Sequence, residues 1–303
     1  MKKRTAFIGA ILSLIPLGQP LIIKTGLVLS TIGFILSVPE KVNAENAEFY
    51  LNQGIDEAKK GNLERAKYLL EKSLIINPNN IDTYYNLGLV YQELNNDLKA
   101  LRLYQKALII NRNNKYFLTN IPNIYRSMGN IYVNQKEYEQ AILSYLNGIE
   151  LYSNSIDKAE LYYYIGRIKL FTRKFEEAIF YYNKSIFLNP NNFNAFAQRG
   201  SSKRNMNDLQ GALADHNKSI QLNQTDPFIY NSRALTKVLL KDYYGAISDF
   251  TKAIEIDPTI IGNYTNRGNV KTEIGDMKGA CDDWIKASSL GDEIAAKSLR
   301  DKC

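Results

Sequence analysis

The chain has 303 residues, 45% of them apolar and 23% charged, a composition that folds around a core rather than staying disordered. Its charge is unevenly spread: residues 1–44 hold five basic residues and one acidic one, leaving 33 basic and 30 acidic residues for the rest. So balanced a body lacks the basic stripe that a phosphate backbone demands, which excludes nucleic acid as the expected partner.

Taken in chain order, the first element is a leader. Lys2, Lys3 and Arg4 precede an apolar stretch from Ala6 to Val38, interrupted chiefly by Pro16, Gln19, Pro20 and Lys24. Val42-Asn43-Ala44 then supplies the small residues that a signal peptidase accepts. Residues 1–44 therefore read either as a signal peptide cleaved near Ala44 or as an N-terminal membrane anchor built on Gly26 to Val38. In both cases the basic end stays inside and residues 45–303 are expected in a periplasm, a lumen or the extracellular space, soluble or held at the membrane through residues 6–38. A two-pass hairpin is disfavoured because its first arm, Ala6 to Leu17, is too short to span.

The phrase SLIINPNN at 73–80 returns as SIFLNPNN at 185–192, and a regular spacing underlies the recurrence. A small residue followed twelve positions later by Ala occurs seven times: Gly54/Ala66, Gly88/Ala100, Gly129/Ala141, Gly166/Ala178, Gly200/Ala212, Ala234/Ala246 and Gly268/Ala280. Successive copies lie 34, 41, 37, 34, 34 and 34 residues apart, which places short insertions at about 115–121 and 156–158. The units run at about 47–80, 81–114, 122–155, 159–192, 193–226, 227–260 and 261–294.

Within a unit the apolar period is helical. Tyr84, Leu87, Gly88 and Tyr91 share one face, as do Ala100, Leu103, Tyr104, Ala107 and Leu108 beyond the Asn95-Asn96 turn. Each unit is thus a helical hairpin. Its eighth and twentieth positions are small so that the helices approach closely, and the twenty-seventh is small where the next unit packs. Pro78, Pro190 and Pro258 end one hairpin, and Asn80 and Asn192 can cap the next.

These residues resemble the tetratricopeptide repeat (TPR) family over 47–294. The match is a large apolar residue at position four, Leu-Gly at seven and eight, Tyr at eleven, Ala at twenty, an aromatic at twenty-four and Pro at thirty-two, with YYNLGLVYQ at 84–92 the nearest copy. The resemblance implies an all-α, right-handed superhelical solenoid whose first helices line a concave groove for a peptide or partner protein. Arg112, Ser153 and Gln224 stand where Pro is expected, so those helices are expected to run on or turn less sharply. The carboxylate clamp by which some relatives hold chaperone tails is not reproduced: Leu51 and Ile55 occupy its first positions, and only Arg126 with Asn130 echoes it.

By resemblance, the groove positions include Tyr85, Asn86, Arg126, Asn130, Tyr163, Arg167, Phe171, Arg204, Asn231 and Asn269. Asn side chains there can bond an extended backbone, aromatic rings give apolar contact and Arg can take an acidic group. Three further triplets, Arg199/Lys203/Asp215, Arg233/Lys237/Asp249 and Arg267/Lys271/Asp283, are expected to neutralise themselves inside the hairpins rather than meet a ligand.

No catalytic constellation, metal cluster or cofactor motif is found. The single histidine, His216, sits where the other units have Leu, Tyr, Phe or Trp, and is expected to pack in the core. Residues 292–303 form a cap beyond Gly291. An antiparallel turn at 291–292 sets Cys281 level with Cys303, leaving a disulfide or two free thiols. The expectation is a non-enzymatic exported scaffold that binds a protein. The alternatives are a membrane-anchored assembly factor for a membrane complex and a polysaccharide-export helper.

Overall fold

A computed structural model describes residues 46–113 and 120–303. The leader, residues 1–44, and most of the first insertion lie outside these residues. The architecture is an all-α solenoid of consecutive helical hairpins. The pairs are α1 (46–59) with α2 (Leu63–Ile76), α3 (Ile81–Glu93) with α4 (Asp97–Asn113), and α5 (Ile121–Asn134) with α6 (Tyr138–Leu151). Next come α7 (Ser155–Phe171) with α8 (Phe175–Leu188), α9 (Phe193–Asn205) with α10 (Leu209–Leu222), α11 (Pro227–Leu239) with α12 (Tyr243–Ile256), and α13 (Ile261–Glu273) with α14 (Met277–Ser289). A single helix, α15 (Glu293–Lys302), closes the end. None of the described helices is long and apolar enough to cross a membrane.

Every hairpin turns at the same position of its unit. The fifteenth position is left-handed in all seven units, at Gly61, Asn95, Lys136, Arg173, Asn207, Lys241 and Gly275. The next backbone N–H then donates to the carbonyl five residues earlier, as from Asn96 to Tyr91 at 2.8 Å and from Asp242 to Lys237 at 2.9 Å, which satisfies the end of the first helix. In the last three units Asp208, Asp242 and Asp276 cap the second helix by accepting from the backbone N–H of Gly211, Gly245 and Gly279.

The glycines at position eight are required by contact rather than by backbone angle. A Cβ on Gly88 would lie 2.3 Å from the Tyr104 ring, and one on Gly166 would lie 2.6 Å from Tyr182. Each pair sets how closely its two helices approach. Leu70, Tyr104, Tyr182, His216, Phe250 and Trp284, all at position twenty-four, are wholly buried there. Position twenty-seven faces the following unit: Ser73 Oγ lies 3.1 Å from Thr83 Oγ1, and a Cβ on Gly148 would lie 3.0 Å from Leu161.

Three details refine the sequence expectations. The insertion at 156–158 adds a turn to α7, which has 17 residues where α9, α11 and α13 have 13. Helix α4 does run on past Arg112, to Asn113. At Ser153 and Gln224, however, α6 and α10 stop at Leu151 and Leu222, the same position at which α2, α8 and α12 stop before proline. Proline is therefore not what ends these helices. Asn77, Asn189, Asn223 and Asp257 each accept a hydrogen bond from the backbone N–H two residues on, a local turn that competes with helix continuation. Asn80 and Asn192 cap the following helices as expected, accepting from Thr83 and Ala195.

The three charged triplets are internal. Arg233 donates through Nε and Nη2 to both oxygens of Asp249, at 2.8 and 2.6 Å, and Lys237 Nζ lies 2.8 Å from Asp249 Oδ2. Asp215 and Asp283 repeat the arrangement with their own Arg and Lys. The third guanidine nitrogen reaches the preceding unit, so that Arg199 donates to Asn183, Arg233 to Asn217 and Arg267 to Thr251. These charges join consecutive hairpins and are taken up by one another.

At the end of the solenoid α15 folds back on α14. Asp292 caps it by accepting from the backbone N–H of Ile294 and Ala295, and Thr265 donates to the same carboxylate. Cys281 and Cys303 are joined as a disulfide with 6.0 Å between their Cα atoms.

Candidate functional site

The groove is built by spacing on the first helices. On α3, Tyr85, Leu89 and Gln92 recur at intervals of four and three; Arg126, Asn130 and Val133 do so on α5, and Glu160, Tyr164, Arg167 and Phe171 on α7. Side chains so spaced share one helix face, and three such faces side by side make a continuous wall.

Two adjoining clefts open in this wall. One, of about 300 Å³, is lined by Tyr85, Leu89, Gln92, Glu93, Arg126, Ser127, Asn130, Glu160 and Tyr164. It is polar and internally bonded: Arg126 Nη1 donates to Glu160 Oε2 at 3.1 Å, and Tyr164 donates to Glu160 Oε1 at 2.5 Å. Burial, followed by that bond to Glu160, pushes the Tyr164 hydroxyl up to about 12. It therefore stays a donor at ordinary pH.

The other cleft, of about 410 Å³, shares Asn130 and Tyr164 with the first and adds Val133, Asn134, Tyr138, Tyr145, Arg167, Ile168 and Phe171. It is an aromatic cup. Tyr138 and Phe171 stand 5.6 Å apart, as do Tyr145 and Tyr164. Tyr145 donates to Asn130 Oδ1 at 2.7 Å, which fixes the amide and turns its Nδ2 donor away from the tyrosine. Phe171 is 72% exposed.

Of the ten groove residues expected from sequence, Tyr85, Arg126, Asn130, Arg167 and Phe171 are brought together in these two clefts. Tyr163 flanks them, with the Arg167 guanidinium 5.9 Å from its ring centre. Asn86 lines a separate cleft of about 430 Å³ between the first two hairpins, with Ile55, Leu63 and Leu89. Arg204, Asn231 and Asn269 line none of these three clefts; their polar atoms bond within the chain. Arg204 donates to the Ser232 carbonyl at 3.0 Å, Asn231 to Asn263 at 2.5 Å, and Asn269 accepts from Trp284 at 3.1 Å.

Glu160 and Tyr164 were not singled out by sequence, although both occupy groove positions of their unit. Tyr138 and Tyr145 lie on a second helix, where the repeat pattern assigns a tyrosine to hairpin packing. His216 is wholly buried, neither ring nitrogen is hydrogen-bonded to any of the described residues, and burial holds its pKa down at about 4.

Family models agree with this geometry. The TPR repeat model matches residues 56–95, one tetratricopeptide repeat model matches 81–114, and a second matches 123–155, 159–192 and 229–260. The chain belongs to the tetratricopeptide repeat family. This TPR chain is similar in fold to a TPR protein from Parabacteroides merdae, with 20% identity over 84% of this chain and 98% of the other, and a TM-score of 0.60. PilF of Pseudomonas aeruginosa is similar at 22% identity over 71% and 94% of the two chains, with a TM-score of 0.58. YrrB, described as a TPR protein with an unusual peptide-binding site, is similar at 21% identity over 64% and 95%, with a TM-score of 0.51. No curated protein sequence matches the chain. The TPR fold is in general a non-enzymatic scaffold that supports protein or peptide partners.

Proposed function

We propose that this TPR protein is a non-enzymatic scaffold that holds an extended segment of a partner protein in the groove of α3, α5 and α7. The observation that carries the reading is the pair of clefts joined through Asn130 and Tyr164, one polar and one aromatic. Such alternation suits a chain whose successive side chains point in different directions while its backbone bonds to the Asn amides. The peptide-binding site of YrrB, a relative in fold, is in keeping with this use. We further propose that residues 1–44 carry the solenoid across a membrane, so that the partner is met outside the cytoplasm.

Arg126→Ala with Phe171→Ala tests the groove against Ile75→Ala with Phe187→Ala, two exposed residues on second helices. Loss of partner capture in the first variant alone is expected. Loss in the second alone would move the site to the outer surface. The N-terminal residue of the protein from its native host tests the leader: a start at Glu45 supports a soluble exported scaffold, and a start at Met1 in the membrane fraction supports an anchored one.

A further inference from the structure

The two arginines that line the paired clefts differ in what compensates them. Arg126 is paired with Glu160, 3.1 Å away, and also reaches Asn123 at 3.3 Å. Arg167, at the rim of the aromatic cup, is exposed; the ion pairs among the described residues, several of them on neighbouring helices, leave it out. Its guanidinium instead lies over Tyr163. A stacked arginine keeps its outward N–H edge available for a bidentate bond to a carboxylate.

The cup beside it has the opposite character. Tyr138, Tyr145, Tyr164 and Phe171 surround a space of about 410 Å³, enough for one apolar side chain of a bound segment. Asn130 and Asn134 stand on its wall with amide groups suited to a backbone carbonyl or N–H. Resting on the groove reading above, the geometry points to a recognition rule: the bound segment places a leucine- or phenylalanine-like side chain in the cup, with an aspartate or glutamate beside it on Arg167. An acidic neighbour is selected because it completes the cation that stands at the rim of the cup without a carboxylate partner among the described residues. A basic neighbour is rejected, since it would bring a like charge against Arg167.

The test uses the full chain and labelled synthetic peptides with Gly/Ser flanks around a central Leu or Phe. The residue beside the centre is Glu, Ala or Lys. Fluorescence anisotropy is expected to rank Glu above Ala above Lys, with about tenfold between Glu and Ala, the scale of one charge-assisted hydrogen bond. Arg167→Glu is expected to invert the order, and Phe171→Ala to weaken all three peptides alike. Both residues are exposed, so neither change threatens the fold.

An unchanged Glu preference in Arg167→Glu, or none in the parent, would overturn the recognition rule. If the peptides then still compete with one another and are lost in Arg126→Ala, the groove reading stands without the rule. If no peptide binds the parent chain, both fall.

Discussion

Arg126 on α5 reaches across to Glu160 on α7, with Nη1 3.1 Å from Oε2, so that one ion pair bridges two consecutive repeats on the wall of the groove. Both side chains are about a third exposed, and an ion pair screened by that much water contributes little to folding, about 1 kcal/mol at most. Glu160→Gln is therefore expected to leave the melting temperature nearly unchanged. It frees the guanidinium and should strengthen binding of acidic peptides severalfold, which titration at low and high salt will reveal as a steeper salt dependence.

The internal pairs behave in the opposite way. Asp249 is 3% exposed and holds both Arg233 and Lys237. Asp249→Ala leaves two partly buried cations without a partner and is expected to cost about 3 kcal/mol or more in chemical denaturation. Replacing all three residues by apolar ones of similar volume should cost much less than the single change. Equal losses from Asp249→Ala and Glu160→Gln would contradict this division between internal and groove charges.

His216 gives the solenoid a pH dependence. Its folded pKa, about 4, lies below the ordinary value of 6.5 because burial opposes the charged form, with Arg204 adding to the effect. Between those values the unfolded chain binds a proton that the folded chain does not, so stability falls as pH drops from about 6.5 to 4. The loss attributable to this residue should be on the order of 2–3 kcal/mol at the acid end. His216→Phe, which resembles Phe250 in the next unit, is expected to remove that share; parallel pH curves for the two proteins would contradict it.

The hairpin turns offer a gain. Lys136, Arg173 and Lys241 hold φ near 60°, a region that costs a side-chain-bearing residue about 1 kcal/mol relative to glycine. Gly61 and Gly275 occupy the same position in other units, and Lys241→Gly is expected to raise the unfolding midpoint. No gain in any of the three would mean that the neighbouring bonds, and not the backbone angle, set the energy of the turn.

The disulfide between Cys281 and Cys303 closes a loop of 22 residues around the terminal cap. Reduction should destabilise the end of the solenoid by about 3 kcal/mol, visible as faster hydrogen exchange in α14 and α15 with α3 to α7 unchanged. A Cys303→Ser variant should show no response to reductant.

The repeat was legible because it is written seven times: one small residue at position eight and one at position twenty suffice to place both helices. Helix ends were read less well. The sequence pattern offers proline as the stop signal, whereas the Asn or Asp one position earlier makes the turn at Asn223, where no proline follows. The groove was legible by position but not by state. Arg204, Asn231 and Asn269 occupy groove positions, yet their bonds to Ser232, Asn263 and Trp284 depend on which residue the adjacent helix presents, and a one-dimensional pattern does not carry that. Tyr145 was missed for the converse reason, since a residue that packs the hairpin also forms the floor of the cup.

The most direct measurement places a photoreactive phenylalanine analogue at Asn134, on the wall of the aromatic cup, and at Phe187, exposed on a second helix, and irradiates the full chain in its native host. A discrete adduct formed from position 134 and absent from 187, and lost on adding Arg126→Ala, is the expected result. An adduct from position 187 with none from 134 would place the partner on the outer surface and contradict the groove as the site of binding.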